Sequence, residues 1–207
     1  MPDLLDGPRP PDACDDPCSR LHELVEDTLA GTGRAVWIEG GPGSGKTGLL
    51  SGALAQAQTG GGQVAGSSAA HRPGPRLRLN PIMECLGLDP TSRDLRRVLN
   101  TAAVRPVPEP RLGSRVGSGA AADRLTTMFL QLAQARPLVV AVDDLDLADP
   151  ASLRVWARLT EQTERLPLLL LATARPGTDR PEIARVELDR IRAAGPVLRL
   201  PVPSCPS

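Results

Sequence analysis

The sequence feature that most constrains the fold is a glycine-rich run that stands between a predicted strand and a predicted helix. It comprises Gly40, Gly41, Pro42, Gly43, Ser44, Gly45, Lys46 and Thr47. The run before it, RAVWIEG, is short, apolar and bounded by glycine, as buried strands are, whereas KTGLLSGALAQAQ favours a helix. This order, with the spacing GxxxxGK followed by Ser or Thr, predicts a loop that binds phosphate groups.

Each residue type in this loop has a physical reason. Glycines allow positive φ and leave room for a phosphate, so that successive backbone N–H groups point into one concavity. The N-terminus of the following helix adds a partial positive charge. Lys46 is the only lysine among 24 basic residues, and its compact ammonium would reach the β- and γ-phosphates of a nucleotide. The Thr47 hydroxyl would be a ligand of Mg²⁺.

A second buried strand ends in two aspartates. Residues 138–142 are five apolar residues, which is typical of a strand that is buried on both faces. We expect this strand to neighbour the phosphate-loop strand, so that Asp143 holds the water shell of the Mg²⁺ bound by Thr47. Asp144 is the candidate to orient or deprotonate the attacking water. The motif therefore predicts a metal-binding residue and a catalytic residue side by side.

Two further acidic residues after this strand have structural explanations. Asp149 directly precedes Pro150, and this pair is typical of an N-cap followed by the first residue of a helix. Asp146 is predicted to be a solvated residue of the loop.

A third buried strand, from Pro167 to about Thr173, also ends in polar residues. Thr173 could sense the attacking water or the γ-phosphate, and Arg175 could stabilise the transition state with its positive charge. The run Arg175-Pro176-Gly177 is equally typical of a surface turn, and the spacing alone leaves both interpretations open.

The remaining periodicity completes an α/β pattern. Helices are predicted over 17–30, with Asp16 as N-cap and Gly31 as terminator, and over 181–194. A last strand is predicted over 197–200, and a short strand over 63–66, beside the phosphate-loop strand. Alternating strands and helices predict an α/β P-loop NTPase with a doubly wound, mostly parallel sheet flanked by helices.

Length and composition bound the organisation of the chain. Its 207 residues suffice for one α/β domain over 16–201, with a disordered leader over 1–15, a flexible insert at about 104–118 and a tail over 202–207. The 24 basic and 24 acidic residues give no reason to expect a polyanion or a membrane surface as partner. No apolar run is long enough to span a membrane and no signal peptide is recognisable, so the sequence predicts a cytoplasmic protein.

Three blocks of the sequence carry a resemblance to a known family. AVWIEGGPGSGKTGLL, RPLVVAVDDLDLADPASLRVWARL and LPLLLLATARPG resemble the ATPase domain of the large ATP-binding LuxR-type transcriptional regulators, which belong to the signal-transduction NTPases of the AAA-like superfamily. The resemblance extends over roughly residues 20–200 and implies that the nucleotide is ATP. In such proteins an aspartate pair and a Thr-x-Arg follow the corresponding strands, which implies a nucleotide-sensing role for Arg175.

The chain departs from that family pattern at both ends. Its relatives carry Gly-Arg-Glu before the first helix, where it helps to hold adenine, whereas this chain reads DDPCSRLHEL. The relatives continue into a helical lid, a sensor region and a helix-turn-helix, whereas this chain stops at LPVPSCPS. We therefore expect no DNA-binding element within the chain, and either a stand-alone or truncated NTPase module or a remnant of a longer gene.

Three functions are consistent with these motifs. The first is the ATP-binding module of a signalling or regulatory ATPase, with slow Mg²⁺-dependent hydrolysis because aspartate at position 144 is shorter than the usual glutamate. The second is a module that binds nucleotide without hydrolysis, or a degenerate remnant, acting through a protein partner or self-association. A small-molecule kinase is less favoured, because no acceptor site or arginine-rich lid is recognisable.

Overall fold

Five strands form one sheet in the computed structural model, which describes residues 16–70, 79–88, 117–177 and 182–200. The strands are β1 (Arg34–Glu39), β2 (Gln63–Ser68), β3 (Leu138–Asp143), β4 (Leu168–Ala174) and β5 (Val197–Arg199). Their order is β2-β3-β4-β1-β5, and every pairing is parallel. The predicted α/β class, with a parallel sheet flanked by helices, is confirmed.

Helices cover both faces of this sheet. They are α1 (Pro17–Leu29), α2 (Lys46–Thr59), α3 (Asn80–Cys85), α4 (Gly117–Ala135), α5 (Pro150–Thr160) and α6 (Glu182–Ala193). Successive strand residues point to opposite faces, so that Val36 and Ile38 pack with α1 and α2, whereas Ala35 and Trp37 pack with the other helices. Burial on both faces explains why β3 and β4 read as continuous apolar runs.

Helix α1 illustrates how closely the local sequence determines an element. Its buried residues recur at helical spacing, and they are Leu21, Leu24, Val25 and Thr28. Pro17 is the first helical residue, and Gly31 adopts a φ of 111° just beyond the last turn. Asp16 occupies the N-cap position, although its side chain makes no capping hydrogen bond within the described residues. The predicted helix over 17–30 is thus confirmed to within one residue.

The strand order corrects two expectations. β2 was expected beside β1, but it lies at the edge of the sheet and pairs with β3 through Gln63 and Leu138. β3 was expected to neighbour β1, but β4 lies between them, with Leu169 opposite Arg34. Periodicity identifies a buried strand but carries no information about which buried strand is adjacent to it. As a result Thr173, on β4, lies between the strand that leads into the glycine-rich loop and the strand that ends in Asp143.

Some expectations concern residues outside the described ranges. These are the leader over 1–15, the tail over 202–207 and residues 104–116 of the predicted insert. Residues 117 and 118 are the first residues of α4. Among the helices that the structure describes, none combines the length and the apolar character needed to cross a membrane.

Candidate functional site

The glycine-rich run forms a tight loop between β1 and α2. Gly43 and Gly45 adopt φ values of 76° and 89°, in the left-handed region that favours glycine. A Cβ atom built at either position would have no heavy atom within 4 Å. The amide of Ser44 donates to the carbonyl of Gly41 at 3.3 Å, which closes the turn. The backbone at Gly43 and Gly45 is therefore open to an approaching group, next to the N-terminus of α2.

Lys46, the first residue of α2, is buried within this loop, with 8% of its surface exposed. Its ammonium Nζ donates to the carbonyl oxygens of Gly40 at 2.7 Å and Gly41 at 2.8 Å, and lies 3.5 Å from Ser44 Oγ. Backbone and hydroxyl oxygens solvate the charge but do not neutralise it. A positive charge is thus held at the centre of the loop.

Three side chains from separate elements meet beside the loop. Thr47 Oγ1, on α2, donates to Asp143 Oδ2 at 2.6 Å, although the two residues are 96 positions apart in the chain. Thr173 Oγ1, on β4, donates to the other carboxylate oxygen of Asp143 and is fully buried. We call these three residues the hydroxyl cluster. It joins α2, β3 and β4 at the carboxyl edge of the sheet.

Asp144 has a strained backbone. Its φ is 53°, and Leu79 is the only other non-glycine residue of the described ranges with a positive φ. Such conformations destabilise a folded chain by about 1 kcal/mol or more and persist where neighbouring contacts fix them. One such contact is the Asp144 amide, which donates to Thr173 Oγ1 at 2.8 Å. The Asp144 carboxylate lies 3.4 Å from the guanidinium of Arg175.

The structure thus places the sequence-predicted residues at one edge of the sheet. Lys46 and Thr47 begin α2, Asp143 and Asp144 follow from β3, and Thr173 lies on β4. Arg175 follows Ala174, the last residue of β4, and its side chain is half exposed.

The two further acids of this region behave differently from each other. Asp149 is confirmed as the N-cap of α5, because it accepts hydrogen bonds from the amides of Ala151 and Ser152. It also accepts from the amide of Leu79 at 3.0 Å, which ties α3 to α5. The expectation of a solvated Asp146 is wrong, since only 3% of its surface is exposed. Its 3-10 turn, Leu145–Leu147, packs inwards with a fully buried Leu145.

One charged residue of this edge was not found by sequence reasoning. Glu39 ends β1, directly before the glycine-rich loop, and its carboxylate binds Arg192 and Arg199. The sequence shows only a single acidic residue between an apolar strand and the first glycine of the loop. That signal does not reveal arginines more than 150 positions away.

The described ranges contain one exposed cysteine, Cys18, and one buried cysteine, Cys85. No group of three or more His, Cys, Asp or Glu in those ranges could hold a metal ion. Cys85 is buried, 3.2 Å from Ser67 Oγ, and burial raises the pKa of its thiol to about 12. The thiol therefore stays protonated at neutral pH and is a poor nucleophile.

Comparisons with known proteins add to this geometry. The family model described as "AAA ATPase domain" matches residues 15–171. No curated protein matches the chain.

Several solved structures are similar over most of the chain. One is a DNA replication initiation factor, with 15% identity, a TM-score of 0.47 and coverage of 88% of this chain and 44% of that one. AMPPCP-bound DnaA from Aquifex aeolicus has 15% identity, a TM-score of 0.43 and coverage of 91% and 48%. Drosophila ORC bound to AT-rich DNA and Cdc6 has 16% identity, a TM-score of 0.45 and coverage of 88% and 55%. The chain spans about half the length of these proteins.

Proposed function

The chain belongs to the AAA ATPase domain family, and from this premise we propose that it binds ATP with Mg²⁺ at residues 40–47 and hydrolyses it slowly. We propose further that it is the nucleotide-binding module of a signalling or regulatory ATPase similar to the LuxR-type regulators. The observation that carries the proposal is the hydroxyl cluster beside Lys46, in which Thr47, Asp143 and Thr173 share hydrogen bonds.

The phosphate loop fits a polyphosphate. Open space at Gly43 and Gly45 leaves room for phosphate oxygens close to the backbone. The ammonium of Lys46 is bound by neutral carbonyl oxygens, which phosphate oxygens of higher negative charge can replace. The positive end of the α2 dipole also favours the negative charge of a phosphate. We assign Gly40 to Thr47 to this role.

The donor set beside the loop fits Mg²⁺. A hydroxyl and a carboxylate are the hard oxygen ligands that this ion prefers, and Thr47 Oγ1 and Asp143 Oδ2 lie 2.6 Å apart. Thr47 would bind the ion directly, and Asp143 would hold its water shell. When bound, Mg²⁺ would neutralise the charge that develops on the phosphates.

Hydrolysis would rely on Asp144 and Arg175. The Asp144 carboxylate would orient the attacking water or accept its proton, and Thr173 fixes this residue through the Asp144 amide. Arg175 would sense the nucleotide and stabilise negative charge in the transition state. Its guanidinium lies 3.4 Å from Asp144 Oδ2, so this ion pair competes with the attacking water for the carboxylate. We expect turnover to be slow for this reason.

The same ion pair favours a second candidate function. If Arg175 holds Asp144 permanently, the chain would bind nucleotide without hydrolysis and act through a protein partner or a second copy of itself. Phosphate release distinguishes the two candidates, because nucleotide binding is common to both.

The first test is calorimetric titration of the chain with ATP, with and without Mg²⁺ and with GTP as competitor. We expect Lys46→Ala to lose binding, because the variant removes the charge at the centre of the loop. Arg20→Ala is the matched control, since it removes an exposed cation that pairs with Glu23 on α1. Equal binding by wild type and Lys46→Ala would refute the assignment of the loop.

The second test measures phosphate release under saturating ATP. Removing one transition-state contact typically lowers the rate about 100–1,000-fold, so Asp144→Asn should release almost no phosphate. Asp123→Asn, on the exposed surface of α4, is the control for loss of an acid. Unchanged release by Asp144→Asn would exclude Asp144 as the catalytic residue, whereas binding without release by wild type would favour the second candidate.

A further inference from the structure

Glu39 stands at the junction between the sheet and the phosphate loop. It is the last residue of β1, and the next residue, Gly40, provides the carbonyl to which Lys46 donates at 2.7 Å. A planar peptide joins Glu39 to the Cα atom of Gly40, and the Gly40 carbonyl is bonded to that Cα atom, so a change in the position of Glu39 moves the start of the loop. None of the roles proposed above involves Glu39.

The Glu39 carboxylate is bound at both oxygens. Oε1 accepts from Trp37 Nε1 at 3.0 Å and lies 2.8 Å from Arg192 Nε. Oε2 accepts from Arg192 Nη2 at 3.1 Å and lies 3.6 Å from Arg199 Nε. Arg192 thus makes a two-point contact, which is the stronger geometry for a guanidinium and a carboxylate. We call Glu39, Arg192 and Arg199 the arginine clip.

Within the arginine clip, the side chain of Glu39 is less exposed to water than the side chains of the two arginines. The side chain of Glu39 is 13% exposed, compared with 41% for Arg192 and 73% for Arg199. Solvent therefore weakens the Arg199 contact more than the Arg192 contact. The partly buried pair of Glu39 and Arg192 is the stable part of the clip.

Backbone contacts connect the same elements to the first residue of the loop. The Glu39 carbonyl accepts from the amide of Leu200 at 2.7 Å, just beyond β5. A Cβ atom at Gly40 would lie 2.3 Å from Ser44 Oγ and 3.2 Å from Leu200 Cβ. The start of the loop therefore has little space to move independently of Leu200.

Strand β5 is weakly held by apolar contacts. It has three residues, of which Val197 and Leu198 are half-buried and Arg199 is exposed. Within the described residues it pairs only with β1. Because little apolar surface is removed from water, polar contacts carry a larger share of its attachment. The clip supplies such contacts from both α6 and β5.

We propose that Glu39 is a positioning residue for nucleotide binding. Its ion pairs with Arg192 and Arg199 hold α6 and β5 against β1 and thereby fix the Gly40 carbonyl that orients Lys46. This inference rests on the proposed function, because it concerns the affinity of the phosphate loop for nucleotide. Coupling between two sites is reciprocal, so nucleotide at the loop also stabilises α6 and β5.

The test uses Glu39→Gln in the full chain, with two measurements. Calorimetry with Mg²⁺-ATP should show binding about tenfold weaker than wild type, within the range of ordinary couplings between sites. Hydrogen exchange should show that ATP protects the Leu200 amide in wild type but not in the variant. Glu23→Gln is the matched control, because it breaks an exposed ion pair on α1 and should change neither measurement.

Two more variants separate positioning from a general loss of stability. Arg192→Gln should weaken ATP binding somewhat less than Glu39→Gln, which also loses the Arg199 pair, and the double variant should be no weaker than Glu39→Gln, because both lack the contact between Glu39 and Arg192. Arg199→Gln removes an exposed side chain and keeps the pair of Glu39 and Arg192, so it should fold and weaken binding about twofold.

The outcomes distinguish the inference from the proposal on which it rests. Lack of ATP binding by the wild-type chain would overturn both. Binding by wild type, with unchanged affinity and unchanged ATP-induced protection of Leu200 in Glu39→Gln, would overturn the role of Glu39 alone.

Discussion

Two carboxylates lie at the carboxyl edge of the sheet, and they bind different kinds of side chain. Asp143 ends β3 and accepts hydrogen bonds from the hydroxyls of Thr47 and Thr173. Glu39 ends β1 and binds the guanidinium groups of Arg192 and Arg199. Hydroxyl groups orient a carboxylate without removing its charge, whereas guanidinium groups neutralise it. We propose that the first acid is available to a cation, whereas the second holds two elements together.

The surroundings of Asp143 support this distinction. In the ranges that the structure describes, neither arginine nor lysine forms an ion pair with it. Lys46 donates instead to backbone carbonyls, and Arg175 lies against Asp144. Among the described residues, Asp143 is therefore met by hydroxyl hydrogen bonds and by no ion pair, in the position where we propose the water shell of Mg²⁺.

Of the effects that test this comparison, the largest concerns the charge of Asp143. Asp143→Asn keeps the size of the side chain but removes the negative charge, so Mg²⁺-supported ATP affinity should fall about 10–100-fold. Affinity measured in EDTA should stay close to that of wild type, because the phosphate loop is unchanged. Calorimetric titration with and without Mg²⁺ measures both values.

Glu39→Gln is the contrasting variant for this experiment. Its ATP affinity should fall by a similar factor with and without Mg²⁺, because the clip acts on the loop and not on the ion. If Asp143→Asn retained the Mg²⁺ dependence of wild type, the distinction between the two carboxylates would be lost.

The next effect concerns stability. Thr173→Val keeps the shape of a fully buried side chain but removes the donor to Asp143 and the acceptor of the Asp144 amide. A buried amide without an acceptor destabilises a protein by about 1–3 kcal/mol, and we expect about 2 kcal/mol. Urea unfolding followed by circular dichroism measures the change.

Thr126→Val serves as the control for a buried threonine. Its hydroxyl donates to the Ala122 carbonyl within α4, so its removal leaves the helix ladder intact. The expected loss is below about 1 kcal/mol, since valine and threonine have similar helix propensities. Equal losses for the two variants would mean that the hydroxyl cluster contributes no more to stability than an ordinary helix hydroxyl.

Much of this arrangement could be predicted from the sequence because the signals are local. The spacing of the glycines and Lys46, between a predicted strand and a predicted helix, defines the loop, and the apolar run before Asp143 defines a buried strand. Parallel strands end at one edge, which already places Asp143, Thr173 and the loop close together. The sequence did not predict that Thr47 donates a hydrogen bond directly to Asp143.

The unpredicted features are non-local. The insertion of β4 between β1 and β3 could not be read from three runs that are all apolar and buried. Glu39 and its arginines meet only after α6 and β5 return to β1. Asp146 was expected in solvent as an acid of the loop after β3, yet it lies in a 3-10 turn with the fully buried Leu145 and only 3% of its surface is exposed. In each case tertiary packing determines what the local pattern leaves open.

The smallest expected effect is the response of stability to salt. Arg192 and Arg199 are partly exposed, so ions should screen their attraction to Glu39, whereas the hydroxyl cluster contains no such ion pair. Between about 0.05 M and about 0.5 M NaCl, screening of the clip should lower the free energy of unfolding by less than about 1 kcal/mol. Urea is the suitable denaturant, because it adds no ions. Glu39→Gln should lose part of this salt response and Thr173→Val should retain it, whereas an equal response in both variants would show that the clip contributes no screened charge attraction.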